Sequence, residues 1–147
     1  MKAVIQRVKK AGVSIEGKAV AEIGQGLLAL VGIGRDDTVR DMDWMLEKIV
    51  NLRIFESEEG RLDRSLLDTK GALLLVSQFT LYGNCKKGRR PSFSDAMDAE
   101  GARRMFALLV EKAGRLVDKV ETGVFQAAMD VHLVNDGPVT IILDSRV

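Results

Sequence analysis

One cysteine, two prolines and one histidine in 147 residues remove several explanations at the outset. A lone Cys85 cannot form a disulfide within the chain, so the core must hold the fold, and a reducing compartment suits it. One histidine and one cysteine, without CxxC or HExxH, fall short of a metal-ligand set, and neither a metal nor a cofactor is expected. His132 shares a strand face with Asp130, but MDVHLV puts it on the polar, exposed side. No repeat, low-complexity tract or proline-rich linker divides the chain, so residues 1–147 read as one domain. No apolar run approaches the about 20 residues of a membrane helix. The start, MKAVIQRVKK, has no continuous apolar segment of the secretory kind, so a cytoplasmic protein with no membrane partner is expected. Charge of one sign is also lacking: 22 basic against 21 acidic residues leave a net +1. DNA is therefore not an expected partner, and any RNA contact must be local.

What the chain has in quantity is strand. Across Lys2 to Val8, Ala3, Ile5 and Arg7 share one face and Lys2, Val4, Gln6 and Val8 the other, the period of a strand. Val13 to Glu16 and Lys18 to Ile23 flank Gly17 as a hairpin, and Leu27 to Ile33 follows as a buried strand. Thr38 with Asp41 marks a helix start, with Val39, Met42, Met45, Leu46, Ile49 and Leu52 as its apolar face. A short strand near Leu52 to Phe55, a polar turn from Glu56 to Arg64 and an apolar strand from Gly71 to Val76 come next. A second helix spans Ala99 to Ala113, with Ala102, Met105, Phe106 and Leu109 inward and Gly114 as its stop. Three strands close the chain, near Val117 to Thr122, Ala128 to Asn135 and Val139 to Asp144. The fold class is α/β, a single mixed domain with roughly eight strands and two long helices. Two helices cannot cover that much sheet, so sheet must pack on sheet or on a second subunit.

Several motifs have plain explanations. Lys86, Lys87, Arg89 and Arg90, spaced by Gly88, form either a solvated loop or a phosphate contact. Cys85 beside them has no histidine near in sequence and reads as a bystander. The glycines of GQGLLALVGIG fit neither GxGxxG nor GxxxxGK[ST] and are strand-end and turn glycines. Two segments ask for more. In SQFTLY, Ser77, Gln78 and Thr80 place a hydroxyl, an amide and a hydroxyl at the end of a buried strand, beside Phe79 and Tyr82. In NDGPVT, Asn135 to Thr140, ordinary turn chemistry joins two strands. Yet Gly137 allows close backbone approach, and the bond before Pro138 can be cis, giving rigid backbone atoms.

QRV at Gln6 to Val8, NLRIF at Asn51 to Phe55, SQFTLY, KGRRPSF at Lys87 to Phe93, ETGVF at Glu121 to Phe125 and NDGPVT together resemble the D-aminoacyl-tRNA deacylase family, from Met1 to Asp144. The resemblance implies β/β/α layers and a homodimer formed through the sheets, with each active site at the subunit interface. It implies hydrolysis of the ester of D-aminoacyl-tRNA, and of mischarged glycyl-tRNA, at the tRNA acceptor end. It further implies that Gly137 and Pro138, joined by a cis bond, enter the neighbouring subunit's site and exclude an L side chain. Arg7 would support the neighbour's pair, and Phe125 and Met129 would flank the terminal adenine. Gln126 stands where the family pattern has a small residue.

An aminoacyl ester is already activated, so a site need only orient the attack and stabilise the oxyanion, and no triad is required. The catalytic set is then Ser77, Gln78, Phe79 and Thr80, with oxyanion donors at Gln78 and Phe79. Ser77 and Thr80 shape the site, and the resemblance implies that the 2′-hydroxyl of the terminal adenosine assists the attack. Thr80 as nucleophile ranks second, because a hydroxyl needs a base beside it. Lys86, Lys87, Arg89 and Arg90 would hold tRNA phosphates. The rival from another class is a non-catalytic tRNA-binding module, for which 5% aromatic residues offer little stacking surface.

Overall fold

The first strand and the last pair along their whole length. In the computed structural model, which describes residues 1–147, β1 (Lys2–Ile15) lies antiparallel to β8 (Asp130–Asp144), from Lys2 against Asp144 to Ser14 against Asp130. On its other edge β1 pairs first with β3 (Gly26–Gly32), through Lys2 to Val8, and then with β2 (Lys18–Ile23), through Ala11 to Ile15. Two parallel strands, β6 (Ala72–Ser77) and β7 (Val120–Thr122), extend the sheet beyond β3. A separate hairpin joins β4 (Phe55–Glu56) to β5 (Leu62–Arg64). The long helices are α1 (Val39–Asn51) and α3 (Ala99–Gly114), with a four-residue α2 (Leu66–Thr69) between them.

The apolar strands are buried on both faces, which explains why they read as runs rather than alternations. From β3 and β6, Leu27, Ala29, Val31, Leu73 and Leu75 join a core of 22 residues shared with the helices. Leu28, Leu74 and Val76 turn the other way, into a nine-residue cluster with Val13, Ala21 and Ile23 of β1 and β2. The far half of β1 with β2 therefore folds back over the sheet, and the layers are β/β/α. Each fully buried leucine in these layers contributes about 1.5–3 kcal/mol.

The structure corrects several boundaries. The strands expected at Lys2 to Val8 and Val13 to Glu16 are one continuous β1, which turns into β2 at Glu16 (φ 51°) and Gly17 (φ 77°). Both central residues at positive φ match the two-residue hairpin turn that suits strand twist. The last two of the three closing strands are likewise one strand, β8, and only Val120–Thr122 of Val117 to Thr122 is extended. The strand expected near Leu52 to Phe55 starts at Phe55, because the Leu52 N–H still caps α1 on the Lys48 carbonyl. The α1 start at Thr38 and Asp41 holds, with the Asp41 carboxylate accepting from the Thr38 N–H at 2.9 Å. Its inward face includes Val50, while Val39 is 45% exposed. The short α2 begins at Ser65, whose N–H donates to Asp68 at 2.8 Å and holds that carboxyl below the usual range. No helix is long and apolar enough to cross a membrane.

Candidate active site

SQFTLY begins as strand and ends as a tight turn. Ser77 pairs with Val31, and the Gln78 N–H continues the ladder to the Val31 carbonyl at 2.8 Å. The chain then coils into a 3₁₀ turn, Phe79–Tyr82, which glycines at the end of β3 and just beyond it accommodate. A Cβ at Gly32 would stand 3.0 Å from the Gln78 carbonyl oxygen, and one at Gly34 would stand 2.6 Å from the Tyr82 hydroxyl. Such approaches leave no room for a side chain. The turn closes through Leu81 N–H to the Gln78 carbonyl at 3.2 Å and Gly83 N–H to the Thr80 carbonyl at 2.9 Å. A turn start leaves its first N–H groups without internal partners. Those of Phe79 and Thr80 have no acceptor in the chain. The Gln78 amide donates to the Thr80 hydroxyl, and no base touches that hydroxyl.

Beneath the turn lies a buried charge network. The Tyr82 hydroxyl donates to Asp37 at 3.3 Å, and Asp37 also accepts from the Gly34 N–H at 2.6 Å and pairs with the Met1 ammonium at 2.7 Å. Burial, and then the Asp37 charge, push the Tyr82 phenol well above its ordinary pKa. The network anchors the turn from below.

A cavity of about 560 Å³ opens at the strand exit, between Val76 to Phe79, the start of α3 and the segment Phe125 to Val131. Nine of its twelve lining residues are hydrophobic, which suits a flat ring better than an ion. Ser77, Gln78, Phe79, Phe125 and Met129 all line it; Thr80 does not. Phe125 is braced by Phe106 at 6.4 Å between ring centroids and by the Arg103 guanidinium 4.8 Å from its ring. Arg103 lies 22 positions before Phe125, and no local pattern in the sequence links the two.

NDGPVT is not a connection between strands. Gln6 faces Thr140 and Val8 faces Asn135, so Asp136 to Val139 loop out opposite the single residue Arg7 while both flanks keep register with β1. The Gly137–Pro138 bond is cis, and Gly137 has φ +136°. Asn135 staples the loop: its Oδ1 accepts from the Val139 N–H at 2.7 Å and its Nδ2 donates to the Val139 carbonyl at 3.1 Å. Arg7, 4% exposed, donates through Nε to the Asp136 carbonyl and through Nη1 to the Ile54 carbonyl, both at 2.8 Å. Within the chain Arg7 thus holds its own Gly137 segment, while the role that the resemblance implies for it concerns the pair of a second copy.

No residue of the bulge lines the cavity. Arg7 opposite the bulge and Val13 opposite Val131 are six residues apart on β1, about 20 Å at ~3.3 Å per residue. Lys86, Lys87, Arg89 and Arg90 are exposed and in no ion pair, and their loop returns to the site where Phe93 meets Phe79 edge to face at 5.2 Å. Cys85 is exposed in the same loop, and His132 is an exposed residue lying over Gly12, without a hydrogen bond to Asp130.

A family model described as D-Tyr-tRNA(Tyr) deacylase matches residues 4–144. A protein of Kosmotoga olearia named D-aminoacyl-tRNA deacylase is 58% identical over 146 residues, covering 99% of this chain and 98% of its own. One of the same name from Clostridium acetobutylicum is 50% identical with the same coverage. Among solved structures, one described as c-Myc DNA Unwinding Element Binding Protein has a TM-score of 0.94 at 41% identity over 98% of both chains. Another, described as a probable eukaryotic D-amino acid tRNA deacylase, has a TM-score of 0.76 at 17% identity over 97% of both, a likeness of fold alone. With near-complete matches at half identity or more, and an almost full-length family match, the chain belongs to the D-Tyr-tRNA(Tyr) deacylase family.

Proposed function

We propose that the protein is a hydrolase that cleaves the ester between a D-amino acid and the 3′ end of tRNA, a proofreading step in translation, and that glycyl-tRNA is a second substrate. The observation that carries this reading is the unpaired backbone N–H of Phe79, on a residue that lines a ring-sized apolar cavity walled by Phe125 and Met129. The terminal adenine occupies the apolar part, and the ester carbonyl lies at the strand exit. As water attacks, charge collects on the carbonyl oxygen. The Gln78 backbone N–H is taken by Val31, so the donors are the Phe79 backbone N–H and the Gln78 side-chain amide, which stabilise it by about 3–4 kcal/mol each. Ser77 and Thr80 orient the substrate, and the 2′-hydroxyl of the terminal adenosine assists the attack. The reaction uses no metal or cofactor and takes place in the cytosol.

Selection against L-amino acids belongs to the Gly137–Pro138 bulge. Because bulge and cavity are about 20 Å apart along β1, the two meet when a second copy supplies the bulge. The unpaired outer edge of β8 and the 77% exposed Ile142 on it offer a surface for such a homodimer. The free charges of Lys86, Lys87, Arg89 and Arg90 then follow the acceptor-end phosphates. Their confinement to one loop suits a short single-stranded end rather than a DNA duplex. Matched D-tyrosyl-tRNA and L-tyrosyl-tRNA provide the test: the D ester should disappear and the L ester persist. Binding of both without ester loss would make the protein a tRNA-binding module instead, and equal loss of both would remove the bulge from selection.

A further inference from the structure

Gln126 combines a backbone suited to glycine with a side chain that is held in place. Its φ of 64° lies in the left-handed region, where an L side chain is disfavoured and glycine is not. Its Oε1 accepts from the Arg103 Nη2 at 2.8 Å, and the same guanidinium sits 4.8 Å from the centre of the Phe125 ring. Arg103 pairs with no carboxylate, unlike its neighbour Arg104, which bonds Glu100 at 2.9 Å. A guanidinium only donates, so it dictates the amide's orientation: the oxygen faces Arg103, and the Nε2–H₂ group remains a free donor on a residue that lines the cavity.

We infer that Gln126 reads the edge of the base in this cavity, donating from Nε2 to a ring nitrogen, and that Arg103 is the residue that positions it. The inference rests on the cavity being the nucleoside site proposed above. An adenine edge offers ring-nitrogen acceptors beside an amino donor, and an amide locked with its nitrogen outward can satisfy only an acceptor. Arg103 thus acts twice, bracing Phe125 from one side and fixing the polarity of the amide next to it.

Titrating the protein with adenosine and with its 1-deaza, 3-deaza and 7-deaza analogues, followed by NMR, tests this without any hydrolysis step. One analogue should bind about 3- to 10-fold more weakly than adenosine, the effect of losing one hydrogen bond. In Gln126→Gly that gap should close, while Tm stays at or above the wild-type value because glycine fits the backbone. Arg103→Met should narrow the gap, Arg103→Lys should restore it through an ammonium donor to Oε1, and Arg104→Met should leave it unchanged. Equal binding of all four ligands to the wild type, no binding of adenosine, or a gap that survives Gln126→Gly would each overturn the inference. Adenosine bound with the expected gap, but D-tyrosyl-tRNA left intact, would overturn the hydrolytic reading and support this one.

Discussion

The strand exit at Ser77 to Tyr82, at the end of a buried strand, and the bulge at Asn135 to Thr140, within the partly exposed β8, are both polar interruptions of the sheet, held in different ways. The bulge is over-determined. Arg7 grips the Asp136 carbonyl from a buried position, and Asn135 bonds both backbone groups of Val139. The strand exit is anchored from below by Tyr82 on Asp37, but above it one side-chain bond joins Gln78 to Thr80, Phe79 is 56% exposed, and two N–H groups have no partner. The bulge has a fixed shape, whereas the strand exit keeps hydrogen-bonding capacity that a ligand can meet.

Removing the grip should have the largest effect. Arg7→Met takes two charge-assisted bonds from backbone carbonyls, one of them buried, and should lower stability by about 3 kcal/mol, read from urea unfolding. Wild-type stability in that variant would mean that the bulge holds itself. Gly137→Ala comes next. A Cβ there would stand 2.9 Å from Val139 Cγ2 and 3.0 Å from Arg7 Nη2, at a φ that disfavours L residues, so a loss of about 1–3 kcal/mol is expected. Its D-to-L hydrolysis ratio should fall at the same time, and an unchanged ratio would separate the bulge from selection.

On the open side the effects should be smaller. Thr80→Ala loses one hydrogen bond from Gln78 and should keep activity within about tenfold of wild type, since no base stands by to make the hydroxyl a nucleophile. A trapped threonine ester, with turnover abolished in the variant, would reverse that assignment. The smallest effect concerns pH. The folded state holds the Tyr82 proton beyond the ordinary phenol pKa of about 10, while the unfolded chain releases it there. Its contribution to stability is therefore complete below pH 10 and declines as pH rises toward the raised folded value. Tyr82→Phe should fall less steeply than wild type in that range, and parallel curves would mean that the fold does not hold the Tyr82 proton.

The legible parts of the fold were those with a local cause. Leu27 to Ile33 and Ala72 to Val76 read as buried strands because both faces are covered, and Thr38 with Asp41 marked α1 because a capping box is contiguous in sequence. The continuity of β8 was hidden, since Asp-Gly-Pro has the chemistry of a connecting turn. Only the partner strand reveals that its flanks stay in register. α2 is too short to show a period, and Val39 fits the apolar spacing yet lies at the exposed margin of the helix. At the site, SQFTLY and NDGPVT were visible as motifs. Asp37 beneath Tyr82 and Arg103 beside Phe125 were not, because those pairs are 45 and 22 residues apart.

The pairing of the first strand with the last also sets a timetable for synthesis. β1 can complete the edge facing β2 and β3 early, but its other edge waits for β8, about 115 residues later. At about 5–20 residues per second, that edge stays open for roughly 6–23 s on the ribosome. During that interval a nascent chain presents a 14-residue row of unpaired backbone groups, the kind of edge that recruits stray strands. The bulge opposite Arg7 forms only when the edge closes, so it is among the last parts of the molecule to take shape.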